Sequence, residues 1–212
     1  MHFQLQNLTR DTFPLLPDSC IHCGWWQGHN RGWSTEAAEE WSRAAEAQFG
    51  RWGKLATVDG KLLGMIQFAP APLYSRSLPC GPPDRKSVLL GCGLNGGGGP
   101  DSVGKSLVLA ALAEIKDDNV DLVEAFCRPS GPASDCRFLS QDFLRDCGFS
   151  PLRSLDGFQL MRLELGGLTR VSKLARHPHR GILRRIRHPS PAPVVFFGAN
   201  RDLPLLRGAG SI

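Results

Sequence analysis

Tyrosine is nearly missing from this chain: Tyr74 is the only one in 212 residues, so a phenolic proton donor has a single candidate position. No run of eighteen or more apolar residues occurs, which gives no membrane-spanning helix to expect. The opening MHFQLQNLTRDTF lacks the basic-then-apolar order of a secretory signal, and a cytoplasmic location is expected. Acidic residues are almost absent from the last stretch. Residues 169 to 212 hold nine Lys and Arg against one Asp, whereas residues 1 to 168 hold sixteen against nineteen Asp and Glu. The formal net charge of +5 therefore belongs to the C-terminal extension and not to the body of the chain. That extension, 169 to 212, is basic, rich in Pro and Arg and without a sustained period, so it is expected to be weakly ordered. Its arginines suit a weak anionic partner such as RNA or a ribosome.

What is present suits one domain over residues 1 to 168. Seven cysteines, an odd number, are spread through a chain long enough to bury a core without staples, and free thiols are expected. Residues 3 to 8 (FQLQNL) alternate apolar and polar, as a strand with one buried face does. STEAAEEWSRAAEAQFG (34 to 50) offers a cap residue, early acids and a stripe at Ala37, Ala38, Trp41, Ala44, Ala45 and Phe49, then a closing glycine. That is an amphipathic helix. Residues 54 to 58 and 61 to 68 flank Asp59-Gly60, the dipeptide that a two-residue hairpin turn selects. Five prolines between residues 70 and 85 predict a surface loop, because proline removes ladder donors. VLLGCGL (88 to 94) reads as a strand, SLVLAALAEIKDD (106 to 118) as a helix, DLVEAF (121 to 126) as a strand, FLSQDFLRDCG (138 to 148) as a short helix and FQLMRLEL (158 to 165) as a closing strand.

The glycine tract between the strand at 88 and the following helix admits two chemistries. Both use the free N–H groups and dipole of a helix N-terminus to attract phosphate. Gly99 to Ser106 satisfies the pattern GxxxxGK[ST] of phosphate-loop nucleotide-binding proteins. Asn95 and three glycines separate the strand from the first glycine of that pattern, however, and few residues remain for the crossovers such a fold needs.

The element order resembles instead the GNAT superfamily of acyl-CoA-dependent N-acyltransferases over about residues 3 to 165. The resemblance rests on GKLATVDGKLLGMIQFAP (53 to 70), VLLGCGLNGGGGPDSVGKSLV (88 to 108), VEAF (123 to 126) and FLRDCGF (143 to 149). CIHCGWW (20 to 26) and MRLEL (161 to 165) resemble an uncharacterised bacterial branch of it. The resemblance implies an α/β fold with a central mixed, mostly antiparallel sheet flanked by helices. It implies transfer of an acetyl group from acetyl-CoA to a primary amine on a small molecule or peptide. The coenzyme is then expected at Leu94, Asn95, Gly97, Gly98, Gly99, Ser102, Val103, Gly104, Lys105 and Ser106, with the acyl group near Cys92, Gly93 and Leu94. Registered on Gly104, the family loop [RQ]xxGx[GA] meets Gly99 at its Arg or Gln position and Ser102 at its central glycine. Leu144 occupies the position of the family's frequent tyrosine acid. These departures define the alternative, a GNAT-like acyl-CoA-binding protein without catalysis, ahead of nucleotide binding.

Glu124, on a predicted strand, is the candidate general base, since burial can raise a carboxyl toward neutrality. The competing reading is a charged sheet residue that pairs or faces solvent. Cys127 and Cys147 are either proton donors to the leaving thiolate or small core residues. Cys20, His22 and Cys23, with His29 nearby, have the residue types zinc prefers, and Cys80 could complete a site, but the spacing fits no standard pattern and no metal is expected. Trp25, Trp26 and Trp33 line the acceptor pocket or pack the core.

Overall fold

The computed structural model describes residues 2 to 28, 33 to 95, 101 to 129 and 135 to 166. In chain order the elements are β1 (Gln4–Asn7), a 3-10 turn (Phe13–Leu15), α1 (Asp18–Ile21), α2 (Thr35–Phe49), β2 (Gly53–Val58), β3 (Lys61–Pro70), β4 (Val88–Asn95), α3 (Asp101–Asp117), β5 (Leu122–Cys127), α4 (Gln141–Asp146), β6 (Ser150–Leu155) and β7 (Phe158–Glu164). The extension expected at 169 to 212 lies outside the described residues, as do Gly97, Gly98, Gly99 and His29.

Local chemistry places the helix and both hairpins. The Ser34 hydroxyl accepts from the Ala37 N–H at 3.2 Å, and Gly50, at φ 66°, closes α2 in the left-handed conformation. The buried positions Ala38, Ser42 and Ala45 fall on one stripe, with Trp41 and Phe49 half-buried beside it. Ser34→Ala removes one capped donor and is expected to cost about 1 kcal/mol, read as a lower urea midpoint at unchanged slope. Asp59 (φ 48°) and Gly60 (φ 74°) turn β2 into β3, and Asp156 (φ 52°) and Gly157 (φ 75°) turn β6 into β7 the same way.

One seven-stranded sheet runs β1-β2-β3-β4-β5-β7-β6. Only β4 and β5 pair in parallel, so the sheet is mixed and mostly antiparallel, unlike the parallel sheet of a phosphate-loop nucleotide-binding protein. Successive residues of β4 and β5 feed opposite faces. Val88, Leu90, Val123 and Ala125 pack with Leu107, Ala111 and Ile115 of α3 and Leu144 of α4. Leu89 and Phe126 pack on the other face with Trp26, Trp52 and Ala45 of α2. At the sheet edge, β1 departs from its expected alternation, because Leu5 is exposed and Gln6 half-buried. The proline-rich segment is a surface loop with inward anchors: Tyr74, Leu78 and Cys80 are buried.

The β4–β5 pair is short. Register runs Val88–Val123, Leu89–Glu124 and Leu90–Ala125 and then ends, although β4 continues five residues to Asn95. On its other side β4 carries a bulge: Leu90 faces Phe68 while Gly93 faces Ile66, so three steps of β4 oppose two of β3. Residues 135 to 139 lie in the resulting wedge. The Gly93 N–H donates to the Cys136 carbonyl at 2.8 Å, and Leu139 bridges Cys127 in parallel.

Candidate active site

Two regions meet on the outer half of β4. On the first side, β4 ends at Asn95, which pairs with Gly64. Beyond the glycines, α3 starts at Asp101, so Ser102, Val103, Gly104, Lys105 and Ser106 form its first turns. Ser102 and Lys105 are exposed, Ser106 is half-buried, and Val103 and Gly104 are buried. The first turn of a helix leaves backbone N–H groups without intrahelical partners, and the exposed Lys105 adds a cation beside them. Val103 contributes packing, since its side chain joins the core beneath α3.

On the second side lies a cavity bounded by α1, α2, β3 and β4. Trp25, Trp33, Trp41 and Trp52 wall it, Met65 and Leu94 come up from the sheet, and among the described residues no Asp, Glu, Lys, Arg or His lines it. Its polar groups are glutamines, a serine and thiols. Trp52 Nε1 and Gln27 Nε2 are buried donors with no hydrogen-bond partner. A ligand that brings acceptor atoms would satisfy them, because a buried unpaired donor costs about 1–3 kcal/mol. Of the three expected tryptophans, Trp25 and Trp33 line the cavity. Trp26 is 1% exposed and packs behind it, stacked on Phe126 at 5.6 Å between ring centroids. Trp41, which the sequence marks only as part of the α2 stripe, and Trp52 join Trp25 and Trp33 in the wall.

The bulge brings Cys92 into this cavity. Strict alternation would put Cys92 on the face of Leu90, but the extra residue turns it to the opposite face with Leu94. Cys20, Cys23 and Cys136 line the same cavity. Cys92 shares thiol hydrogen bonds with Cys23 and with Cys136, and these hold Cys92 well above the usual thiol range. The same bonds favour thiolates on the other two. Cys23 is pulled down to about 6, helped by the Trp25 N–H and the Arg137 charge, and Cys136 to about 7. Cys20 is pushed up to about 11 by burial. Among the described residues no group of three or more His, Cys, Asp or Glu is arranged to hold a metal ion.

Glu124, the expected base, sits elsewhere. It is fully buried and is not part of the cavity wall. Its Oε1 accepts from Arg162 Nη2 at 2.8 Å and Nε at 3.1 Å, and its Oε2 accepts from the Asp84 N–H at 2.6 Å and Ser87 Oγ at 2.8 Å. Both carboxylate oxygens are thus engaged, one by a guanidinium fork and the other by an N–H and a hydroxyl. Glu124 ties the end of the proline-rich loop to β5 and β7. Leu144 is fully buried in the core, so no acid takes the place of the family tyrosine on α4. Cys127 and Cys147 are buried, and burial raises both thiols, Cys127 to about 11. Both pack in the core between the sheet and α3. Tyr74 is likewise held well above its ordinary range by burial.

No protein-family model matches the chain, and no curated protein sequence matches it. Solved structures do. The structure of yncA from Salmonella typhimurium with its cofactor acetyl-CoA is similar at a TM-score of 0.54 and 14% identity, over 78% of this chain and 95% of that one. The GNAT domain of PAT from S. lividans matches at 0.53 and 14%, over 77% and 90%. Ribosomal-protein-alanine N-acetyltransferase from Brucella melitensis matches at 0.53 and 16%, over 76% and 99%. At such identities the likeness establishes the fold, which is that of the GNAT acetyltransferases. No helix among the described residues is long and apolar enough to cross a membrane.

Proposed function

We propose that this GNAT-fold chain transfers an acetyl group from acetyl-CoA to a primary amine carried on an apolar or aromatic acceptor. The observation that carries the reading is the outer half of β4. There the start of α3 follows the strand on one side, and the aromatic cavity reaches Cys92 and Leu94 on the other. A phosphate-bearing donor suits the first side, because unpaired N–H groups, the helix dipole and Lys105 all favour anions. An amine suits the second only when it is neutral. A cavity walled by tryptophans disfavours the ammonium form and lowers the amine's own pKa, which supplies a nucleophile without a dedicated carboxylate base. Among the described residues no lining carboxylate draws a polycation, so arylalkylamines are favoured over polyamines.

One observation favours a second reading, an acyl-CoA-binding protein without catalysis. The Gly93 N–H sits where the family resemblance puts the thioester carbonyl, and it already donates to the Cys136 carbonyl. With Leu144 buried, the usual acid is missing as well.

Calorimetric titration with acetyl-CoA and with ATP-magnesium, followed by product assay on aromatic amines and spermidine, separates these readings. Acetyl-CoA is expected to bind and ATP-magnesium to give no heat. Gly104→Glu, which puts a bulky carboxylate into the buried first turn of α3, is expected to weaken acetyl-CoA at least about tenfold. Acetylation of the aromatic amine supports the enzyme; binding without product supports the second reading; silence toward acetyl-CoA refutes both.

A further inference from the structure

Three cysteines from distant parts of the sequence share one wall of the cavity. Cys23 follows α1, Cys92 stands at the bulge of β4, and Cys136 precedes α4. All three are half-buried, whereas Cys80, Cys127 and Cys147 are buried away from this cavity. We propose that they form a hydroperoxide-reactive thiol site in which Cys23 is oxidised first and Cys92 then closes a disulfide with it. The proposal does not rest on acetyl transfer.

The hydrogen-bond order assigns each sulfur its part. Cys92 lies beside two sulfurs that are better anions than itself, and its single proton can be offered to one of them at a time. Cys23 also receives the Trp25 N–H and feels Arg137, whose guanidinium is held by Asp135 at 2.7 Å and lies over the Trp25 ring at 5.1 Å. Thiolate character and access decide which cysteine a peroxide meets first, and Cys23 has both.

The steps balance. The Cys23 thiolate attacks the distal oxygen of a hydroperoxide, the O–O bond breaks, the alkoxide or hydroxide leaves with a proton from solvent, and Cys23 becomes a sulfenic acid. Sulfur is oxidised and the peroxide reduced. The sulfur of Cys92 then attacks the Cys23 sulfur; its proton passes to the Cys136 thiolate and on to the departing hydroxide, which leaves as water. The product is a Cys23–Cys92 disulfide between the segment after α1 and the bulge of β4. Cys136 is a positioning base and is left reduced.

The test treats the reduced full chain with one equivalent of hydrogen peroxide at pH 7, blocks free thiols and maps peptides by tandem mass spectrometry. A Cys23–Cys92 crosslink is expected, with Cys80, Cys127 and Cys147 alkylated. In Cys92→Ser, checked for folding by circular dichroism and repeated as Cys92→Ala, dimedone is expected to trap a sulfenic acid on Cys23. Cys136→Ser is expected to form the same disulfide about tenfold more slowly. A Cys20–Cys23 or Cys23–Cys136 link in the parent chain, or oxidation spread over the buried cysteines, would overturn the assignment. A second readout is alkylation of Cys23 by iodoacetamide against pH, in the field of Cys20, Cys92, Cys136, Asp135 and Arg137. The thiolate fraction rises with pH, so the rate is expected to be half-maximal near pH 6 and to fall below it. A midpoint at the ordinary value near pH 8.5 would refute the site.

Discussion

Glu124→Ala is expected to lower the stability of the chain by about 3 kcal/mol. The carboxylate stands directly across from Arg162 in the β5–β7 register and is fully buried, while the arginine side chain is 26% exposed. Its removal strands three groups at once: the Arg162 fork, the Asp84 N–H and the Ser87 hydroxyl. The guanidinium recovers some hydration through its exposed side, which places the cost at the low end of the range for a broken buried pair. Asp84, 3.8 Å from Arg162, offers a weaker substitute anion. Glu124→Gln retains the shape and one acceptor oxygen but loses the charge, and about half the cost is expected. Urea denaturation at constant slope measures both. Acetyl transfer by Glu124→Gln separates an anchor from a base. An anchor leaves kcat per folded molecule and its pH profile in place, whereas removal of a general base lowers kcat by a factor on the order of a hundred or more and flattens the acidic limb.

Glu124 also shows where reading the sequence stops. DLVEAF states that a carboxylate lies in a strand, but its partner is 38 residues away in β7 and two further donors lie in the proline-rich loop. Pairing and base chemistry are therefore indistinguishable until the sheet is assembled. Features governed by neighbours in sequence fare better: the Ser34 cap, the Gly50 stop and the Asp59-Gly60 turn are all in place. β6 escapes because every residue of SPLRSL is exposed and Pro151 lies at a sheet edge, so neither alternation nor propensity marks it. Asp156-Gly157, the same dipeptide as at 59 and 60, was the available signal. The thiol site is hidden for a different reason. Cys92 changes face through a bulge, and nothing in VLLGCGL reports an extra residue in the ladder. Gly91 and Gly93 flank Cys92 on opposite faces, at positions where a side chain does not fit. A side chain at Gly91 would press on Gln67 Oε1 and Tyr74 Oη, and one at Gly93 on Leu139.

Replacing Trp26 by alanine is expected to cost about 4 kcal/mol. The indole is 1% exposed, meets Trp25 edge-on at 4.8 Å and Phe138 at 5.8 Å, and stacks on Phe126. Those neighbours explain why the damage extends beyond an empty volume. Phe138 belongs to the segment held in the wedge between β4 and β5, and Trp25 carries the cavity wall beside Cys23, so both lose the surface they rest on. The indole N–H argues the opposite way, because it is buried without a hydrogen-bond partner. Aromatic area therefore accounts for the contribution of Trp26, and its polar atom detracts from it. Trp26→Phe keeps the ring contacts and discards the unpaired donor, so it is expected to recover all but about 1 kcal/mol of the loss. Thermal and urea unfolding of the two variants decide the matter. If Trp26→Phe is as unstable as Trp26→Ala, the N–H has a partner that matters and the packing account of this wall is wrong.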